Sequence, residues 1–430
     1  MTMLRPLTVL AVFATLLSSP LSAQVPSGPD FFVGNTTAGT QFFPRVAMAA
    51  NGDFVVVWQS GFWSRGEAPH IWARLFKADG TPKGRELRVT DVQPREANPA
   101  VAMEPDGDFI VVWQGGNLRD SSVFGRRFTA RGRPLGARFR LSQATEGSQS
   151  EPAVAFQPDG SFVVAWAHGP KPPNPVGGGV EVYARRFAAD GTPASSDLLV
   201  TPDDVTDRFQ WEEQHGPQVA VSANGDFVVG WLAFGGESTF YDVLARRFDA
   251  SGAPLGEEFV ANSGEINVGS QFEFALAVMD GGEFVIVWTD SGGDADIVPF
   301  SNDFSEIGIL GQRFAADGSR LGILFHVNSI APSIQQGPSI SPIPGGGFFV
   351  VWVSALPESQ RGSVLYGRRF ARNAVPFGRE VQISTATGHQ SVPAVAVAPR
   401  GRGVVAWTNW EPGFVAGAGD VLARRVVLRR

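Results

Sequence analysis

The stretch NGDFVVVWQS, residues 51–60, sets the turn pair Asn51-Gly52 before a strand that is apolar at almost every position. The chain returns to it six more times. The aligned segments are VAMAANGDFVVVW (46–58), VAMEPDGDFIVVW (101–113), VAFQPDGSFVVAW (154–166), VAVSANGDFVVGW (219–231), LAVMDGGEFVIVW (276–288), ISPIPGGGFFVVW (340–352) and VAVAPRGRGVVAW (395–407). Their closing Trp residues step by 55, 53, 65, 57, 64 and 55. A run of apolar residues with no alternation has both strand faces buried. Asn-Gly or Asp-Gly at 51–52, 106–107, 159–160 and 224–225 predicts a tight two-residue hairpin, whose central residues need positive φ.

A second signature follows each Trp after a loop of variable length: ARLF (73–76), GRRF (125–128), ARRF (184–187 and 245–248), GQRF (311–314), GRRF (367–370) and ARRV (423–426). A turn such as ADGTPKG (78–84) then leads into a short strand such as ELRVT (86–90). Each unit thus holds four strands, here a, b, c and d. A four-stranded sheet buried on both faces and repeated seven times is the pattern of radially stacked blades. The last unit stops after strand c, and the strand it lacks stands at the other end of the chain as DFFVG (30–34). The sequence therefore predicts an all-β fold, a seven-bladed β-propeller of four-stranded antiparallel blades. The N-terminal strand completes blade 7, and residues 24–430 form a single domain.

The repeated units resemble the tandem repeats with DGDFVVVWQS-like and ARRFDADGTPLG-like segments found in large secreted bacterial proteins, some of which also carry hemolysin-type calcium-binding repeats. The resemblance covers residues 30–428 and implies no general activity. The Gly- and Asp-rich nonapeptides of those calcium-binding relatives are absent from this chain.

Residues 1–23 read as a signal peptide: Arg5, an apolar run from Leu7 to Leu17, then Leu21-Ser22-Ala23 ahead of a cut. The protein is expected to be secreted or periplasmic, without membrane insertion. The chain has no Cys, which excludes disulfides and thiolate chemistry. With 35 Lys and Arg against 42 Asp and Glu, the net charge of −7 disfavours nucleic acid as a partner. A monomer with no cofactor is expected; calcium, through loop carboxylates, is the one metal considered.

The repeated Trp residues read as core between blades. The Arg pairs of strand c are expected to stack on those Trp residues or pair with turn carboxylates. The recurring Gln-x-x-Pro (Gln41, Gln149, Gln214, Gln335, Gln390) reads as a structural hydrogen bond. Alternating strands place the short a–b and c–d turns on one face and the variable b–c and d–a loops on the other, where binding is expected. That face carries acidic clusters, Asp203, Asp204, Asp207, Glu212 and Glu213 in one loop and Asp290, Asp294, Asp296, Asp303 and Glu306 in another. It also carries His70, His168, His215 and His389, expected to be exposed and unpartnered. No nucleophile motif, metal-ligand pair or catalytic residue is identified. Three Trp residues fall outside the repeat pattern and map to this face. Trp63 and Trp410 meet across the closure beside Arg65, Glu67 and Glu411, and Trp211 enters blade 4; these six are the candidate ligand-binding residues. The leading expectation is a non-enzymatic propeller that binds a protein or glycan on its long-loop face. The alternatives are an extracellular glycan hydrolase or lyase using loop carboxylates, or a structural envelope or adhesion component.

Overall fold

The computed structural model describes residues 24–35, 39–61, 68–90, 95–117, 120–169, 179–201, 214–236, 240–262, 271–290, 308–329, 334–355, 362–410 and 419–428. These residues form seven four-stranded antiparallel sheets. Six follow chain order a-b-c-d, and the seventh is built from both ends of the chain. The seven a strands are Gln41–Met48, Ala97–Met103, Ser148–Phe156, Gln214–Val221, Gln271–Val278, Gln335–Pro342 and His389–Val397. Each packs beside the a strand of the next blade, and the seventh packs back against the first. The a strands therefore surround a central channel, and the expected seven-bladed propeller is the fold.

Closure is by the N-terminal strand, Gln24–Phe32, paired antiparallel with the last strand, Gly419–Leu428. It is longer than the sequence suggests, running from Gln24 opposite Leu428 to Phe32 opposite Leu422. Beyond it, the Val33 N–H donates to the Val421 carbonyl at 2.9 Å. Most other d strands are shorter than expected, two paired residues such as Leu87–Arg88, whereas blade 5 has seven, Arg320–His326.

Strand b is buried along nearly its whole length, as in Phe54–Ser60, because neighbouring blades cover both of its faces. The core is divided among seven clusters, each lying between two adjacent blades and each holding one repeat Trp. All seven Trp side chains are at most 1% exposed, which excludes a ligand-stacking ring.

The a–b turn is not the two-residue hairpin expected from Asn51-Gly52. The Gly52 N–H donates to the Ala49 carbonyl and the Ala49 N–H to the Asp53 carbonyl, leaving a three-residue loop. Only its last residue, Gly52, has positive φ, +90°. Asn51 instead ties the loop together through its side chain, whose Oδ1 accepts the Asp53 N–H at 2.8 Å. A type I turn closed by a left-handed glycine is the common solution for three-residue loops.

The Arg pairs depart from the expected stacking on Trp, while pairing with carboxylates is met in part, by Arg185 with Asp197 at 3.7 Å, Arg313 with Glu283 at 3.7 Å and Arg424 with Asp30 at 3.5 Å. The first of each pair donates Nη1 to the carbonyl that ends the outer strand of the preceding blade: Arg74 to Val33, Arg126 to Val89, Arg185 to Leu141, Arg246 to Val200, Arg368 to Val327 and Arg424 to Ile383, at 2.7 to 3.2 Å. In five of these six the guanidinium lies over a Phe of its own strand, as Arg74 does over Phe76 at 5.5 Å, and not over the Trp. The strand-end carbonyl has no further strand to pair with, so a cation supplies its donor. Of the second arginines, Arg186 and Arg247 reach the next blade, donating to the Ser251 carbonyl at 2.9 Å and the Ala316 carbonyl at 2.8 Å, whereas Arg369 lies over Phe377 of its own blade at 4.5 Å.

Candidate functional site

The long-loop end of the channel is shaped by a bulge that recurs in every a strand. Pairing with strand b slips by one residue between Phe42 and Arg45, Ala97 and Ala100, Ser150 and Ala153, His215 and Gln218, Gln271 and Phe274, Gln336 and Ser339, and Ser391 and Ala394. In six blades the bulged residue has positive φ and precedes a proline: Phe43, Asn98, Glu151, Gly216, Gly337 and Val392, with φ between +49° and +63°. For Val392, a β-branched residue, this is a costly conformation. The Gln that opens the motif is the local anchor. Gln335 Oε1 accepts the Trp352 indole N–H at 2.7 Å, and Gln390 Nε2 donates to the Ala386 carbonyl at 2.8 Å.

Bulges re-aim side chains, and two of these positions hold glutamates. Glu151 accepts the Gly216 N–H of the next blade at 2.7 Å, with His215 Nδ1 at 4.0 Å. Glu273, at the same position in blade 5, lies beside Gly337 of blade 6, whose N–H donates to Thr289 Oγ1 at 3.1 Å. Two residues after the bulged Phe43 stands Arg45, in a position held elsewhere by Ala100, Ala153, Gln218, Ala275, Ser339 and Ala394. Arg45 and Glu273 belong to blades 1 and 5, on opposite sides of the ring, yet each feels the other's charge. The channel is the space between those blades, and both residues stand exposed on the a strands that wall it. They are open to channel water but enclosed by the ring. That enclosure pushes the Glu273 carboxyl up from its usual range, with the Gly337 N–H and Arg45 pulling the other way.

Of the six residues singled out from the sequence, Trp63, Trp211, Arg65, Glu67 and Glu411 lie outside the described residues. So do the acidic residues of the loop entering blade 4 and those of blade 5 apart from Asp290. Trp410 is described: it is half-buried, its Nε1 donates to Ser391 Oγ at 3.0 Å, and its ring lies 6.5 Å from Phe42 of blade 1. Gly419 leaves room for it, since a Cβ there would stand 2.8 Å from the indole.

The expectation of unpartnered histidines fails for three of the four. His70 lies 3.0 Å from Arg88 Nη2 and 3.6 Å from Glu96, whose side chain is fully buried and has Arg138 Nη1 at 3.8 Å. The His168 ring is 5.4 Å from Tyr183, whose hydroxyl donates to Glu181 at 3.0 Å. His215 has Glu151 beside it, and only His389 is simply exposed.

Sequence reasoning missed Arg45, Glu151 and Glu273 because it treated the a strands as structural. The signal was present in the repeat: these are charges in positions where the other blades carry uncharged residues.

No protein-family profile matches this chain. No curated protein matches it in sequence either. Solved structures do match in fold. A protein of unknown function from Dyadobacter fermentans aligns over 95% of this chain and 100% of its own at 13% identity, TM-score 0.55. An ulvan lyase of a polysaccharide lyase family, bound to a GlcA-containing repeat, aligns over 93% of this chain and 95% of its own at 12% identity, TM-score 0.55. A Penicillium chrysogenum α-L-arabinanase complexed with arabinobiose aligns over 77% of this chain and 94% of its own at 12% identity, TM-score 0.50. At such identities the likeness is one of fold.

Proposed function

We propose that this protein acts on a carbohydrate polymer, held at the long-loop end of the central channel, and that it does so outside the cytoplasm after export on the signal-like segment 1–23. The observation that carries the reading is the placing of Glu151, Glu273 and Arg45 at or next to the bulge of three a strands that wall one channel. Cleavage of a glycosidic bond by the common two-carboxyl route asks for one carboxyl held protonated, to give its proton to the leaving oxygen, and a second held ionised. Enclosure pushes Glu273 toward the first role. Glu151, in contact with a backbone N–H and with His215 nearby, is assigned the second. Glycan-processing propellers among the structural neighbours favour this reading over the binding of a protein.

One observation favours a second reading, glycan binding without turnover. Glu151 is tied to the next blade through a backbone N–H and Glu273 lies against Gly337 of the next blade, contacts that also serve the ring itself. The two readings separate in a single assay. Purified protein is incubated with a polysaccharide panel, and new reducing ends and unsaturated products are followed alongside binding. The enzyme reading expects depolymerisation of at least one polymer that Glu273→Gln abolishes while binding persists. Saturable binding with no product under any condition overturns it in favour of the second reading.

A further inference from the structure

Across the seven a strands that wall the channel, Arg45 is the only Lys or Arg among the described residues. It differs from every other repeated arginine in what its guanidinium does. The first strand-c arginine of each blade that has one gives a donor to a carbonyl of the preceding blade, whereas Arg45 donates to the carbonyl of Pro44, its own neighbour, at 3.0 Å. Among the described residues no carboxylate forms an ion pair with it within 4 Å. Glu273 acts on it only from across the channel, and Arg45 pKa is pulled down by enclosure more than Glu273 raises it. A guanidinium carries five donors in a planar fork suited to carboxylates and sulfate-like oxyanions. Most of that fork is unused here, in a channel where desolvation strengthens any charge–charge contact.

The fold does not ask for this arginine. The same position is Ala in four blades, Gln in one and Ser in another, and those blades close the ring equally well. A cation on the channel wall of a chain with net charge −7 is favoured by the protein's own field, yet no carboxylate among the described residues comes within ion-pair distance of it. Its position at the long-loop end places it where a polymer would enter.

From these observations, and resting on the glycan reading above, we infer that Arg45 forms a subsite for an anionic sugar substituent, a uronate carboxylate or a sulfate ester, so that the polymer recognised is an acidic polysaccharide. The chemistry shared by the two is an oxyanion that accepts two parallel N–H donors. Neutral polymers would leave the fork unpaired and should bind more weakly.

The test measures binding of full-length mature protein to polygalacturonate (uronate), dextran sulfate (sulfate) and neutral arabinan, for the wild type, Arg45→Ala and Arg45→Lys, with melting temperature recorded for each. Arg45→Ala installs the residue most blades already carry, so its melting temperature is expected to stay at the wild-type value; Arg45→Gln, the blade 4 residue, serves if it does not fold. The inference expects one acidic polymer bound in preference to arabinan, with affinity reduced about tenfold or more by Arg45→Ala and partly kept by Arg45→Lys. Loss on polygalacturonate alone identifies a uronate, and loss on dextran sulfate alone identifies a sulfate ester. Binding of arabinan at equal strength, unchanged by Arg45→Ala, overturns the acidic-polymer inference and leaves the glycan reading standing. Binding of no polymer overturns the glycan reading itself.

Discussion

Arg320 donates Nη2 to the carbonyl of Ala261 at 3.3 Å and so supplies, from the outer strand of blade 5, the blade-to-blade hydrogen bond that strand-c arginines supply elsewhere. The residue in the usual place is Gln312, whose amide is too short for the crossing and donates instead to the Arg313 carbonyl at 2.7 Å within its own blade. Arg320 also reaches the Val260 carbonyl at 3.2 Å. Its long outer strand, Arg320–His326, holds the guanidinium in place for this. A lost position in the repeat is therefore compensated from a different strand.

The compensation makes a double-mutant prediction. Arg320→Met should lower stability by about 1 kcal/mol, the usual contribution of such a hydrogen bond at a partly exposed site. Gln312→Arg should recover that loss in the Arg320→Met background, while adding little to the wild type. Chemical denaturation of the four proteins measures the coupling. Additive effects would mean that Arg320 does not stand in for the strand-c arginine.

Ring closure is the second point of test. The N-terminal strand is held by its ladder to Gly419–Leu428 and by Asp30, whose Oδ2 accepts the N–H groups of Thr385 and Ala386, each at 2.8 Å. Removal of residues 24–33 leaves the edge of the last strand unpaired, and such edges invite association between chains. The truncated protein is expected to melt at lower temperature and to aggregate as concentration rises, by light scattering. A monomer of unchanged melting temperature would show that the ladder contributes nothing to holding the ring.

Most of this fold was legible because each repeat is an independent reading of the same physics. Trp58 alone is an ambiguous aromatic; seven Trp residues at the end of seven apolar strands can only be core between blades. The Arg pairs were visible as a pattern but not in their bonding. The partners common to the first arginines are backbone carbonyls, which carry no residue identity, so Arg74 meeting Val33 leaves no trace in sequence. The acid that opens strand d shows the same limit. Asp30, Glu86, Asp197 and Glu380 each accept an N–H from the loop after the preceding blade's outer strand, while blade 2 has Arg138 in that place and Glu96 supplies the acid from the loop. The candidate site was less legible still. Glu151 and Glu273 share a position only because the same bulge recurs in both strands, and a bulge shifts register without changing composition.

Trp410 is the one residue of the six sequence candidates whose surroundings are described, and they support a packing role for it. Its indole lies against Gly419 and donates to Ser391. Trp410→Ala should lower stability by about 1 to 3 kcal/mol, less than a fully buried Trp would. Gly419→Val, which places atoms where the ring now lies, should destabilise similarly. Unchanged melting in both variants, with loss of polysaccharide binding, would return Trp410 to the ligand side.

Stability should depend on pH in two separate windows. His70 and His168 are both held below their ordinary value of 6.5, chiefly by burial, with Arg88 adding to the effect at His70. A base whose folded pKa is depressed takes up its proton more readily in the unfolded chain. The two histidines therefore favour the fold while both states are neutral, above 6.5, and this contribution is lost as pH falls below it. The turn carboxylates Asp79, Asp190, Asp249 and Asp317 lie below their ordinary value of 3.8 because they accept hydrogen bonds from Thr81, Thr192, Ser251 and Ser319. Their contribution is present above 3.8 and is lost only as pH falls further. Melting temperature followed from neutral to acid pH should thus fall first near the histidine window and again near the carboxylate window. In His70→Gln/His168→Gln the first fall should flatten and the second remain. A first fall of undiminished size in the double variant would place its origin in groups other than these two histidines.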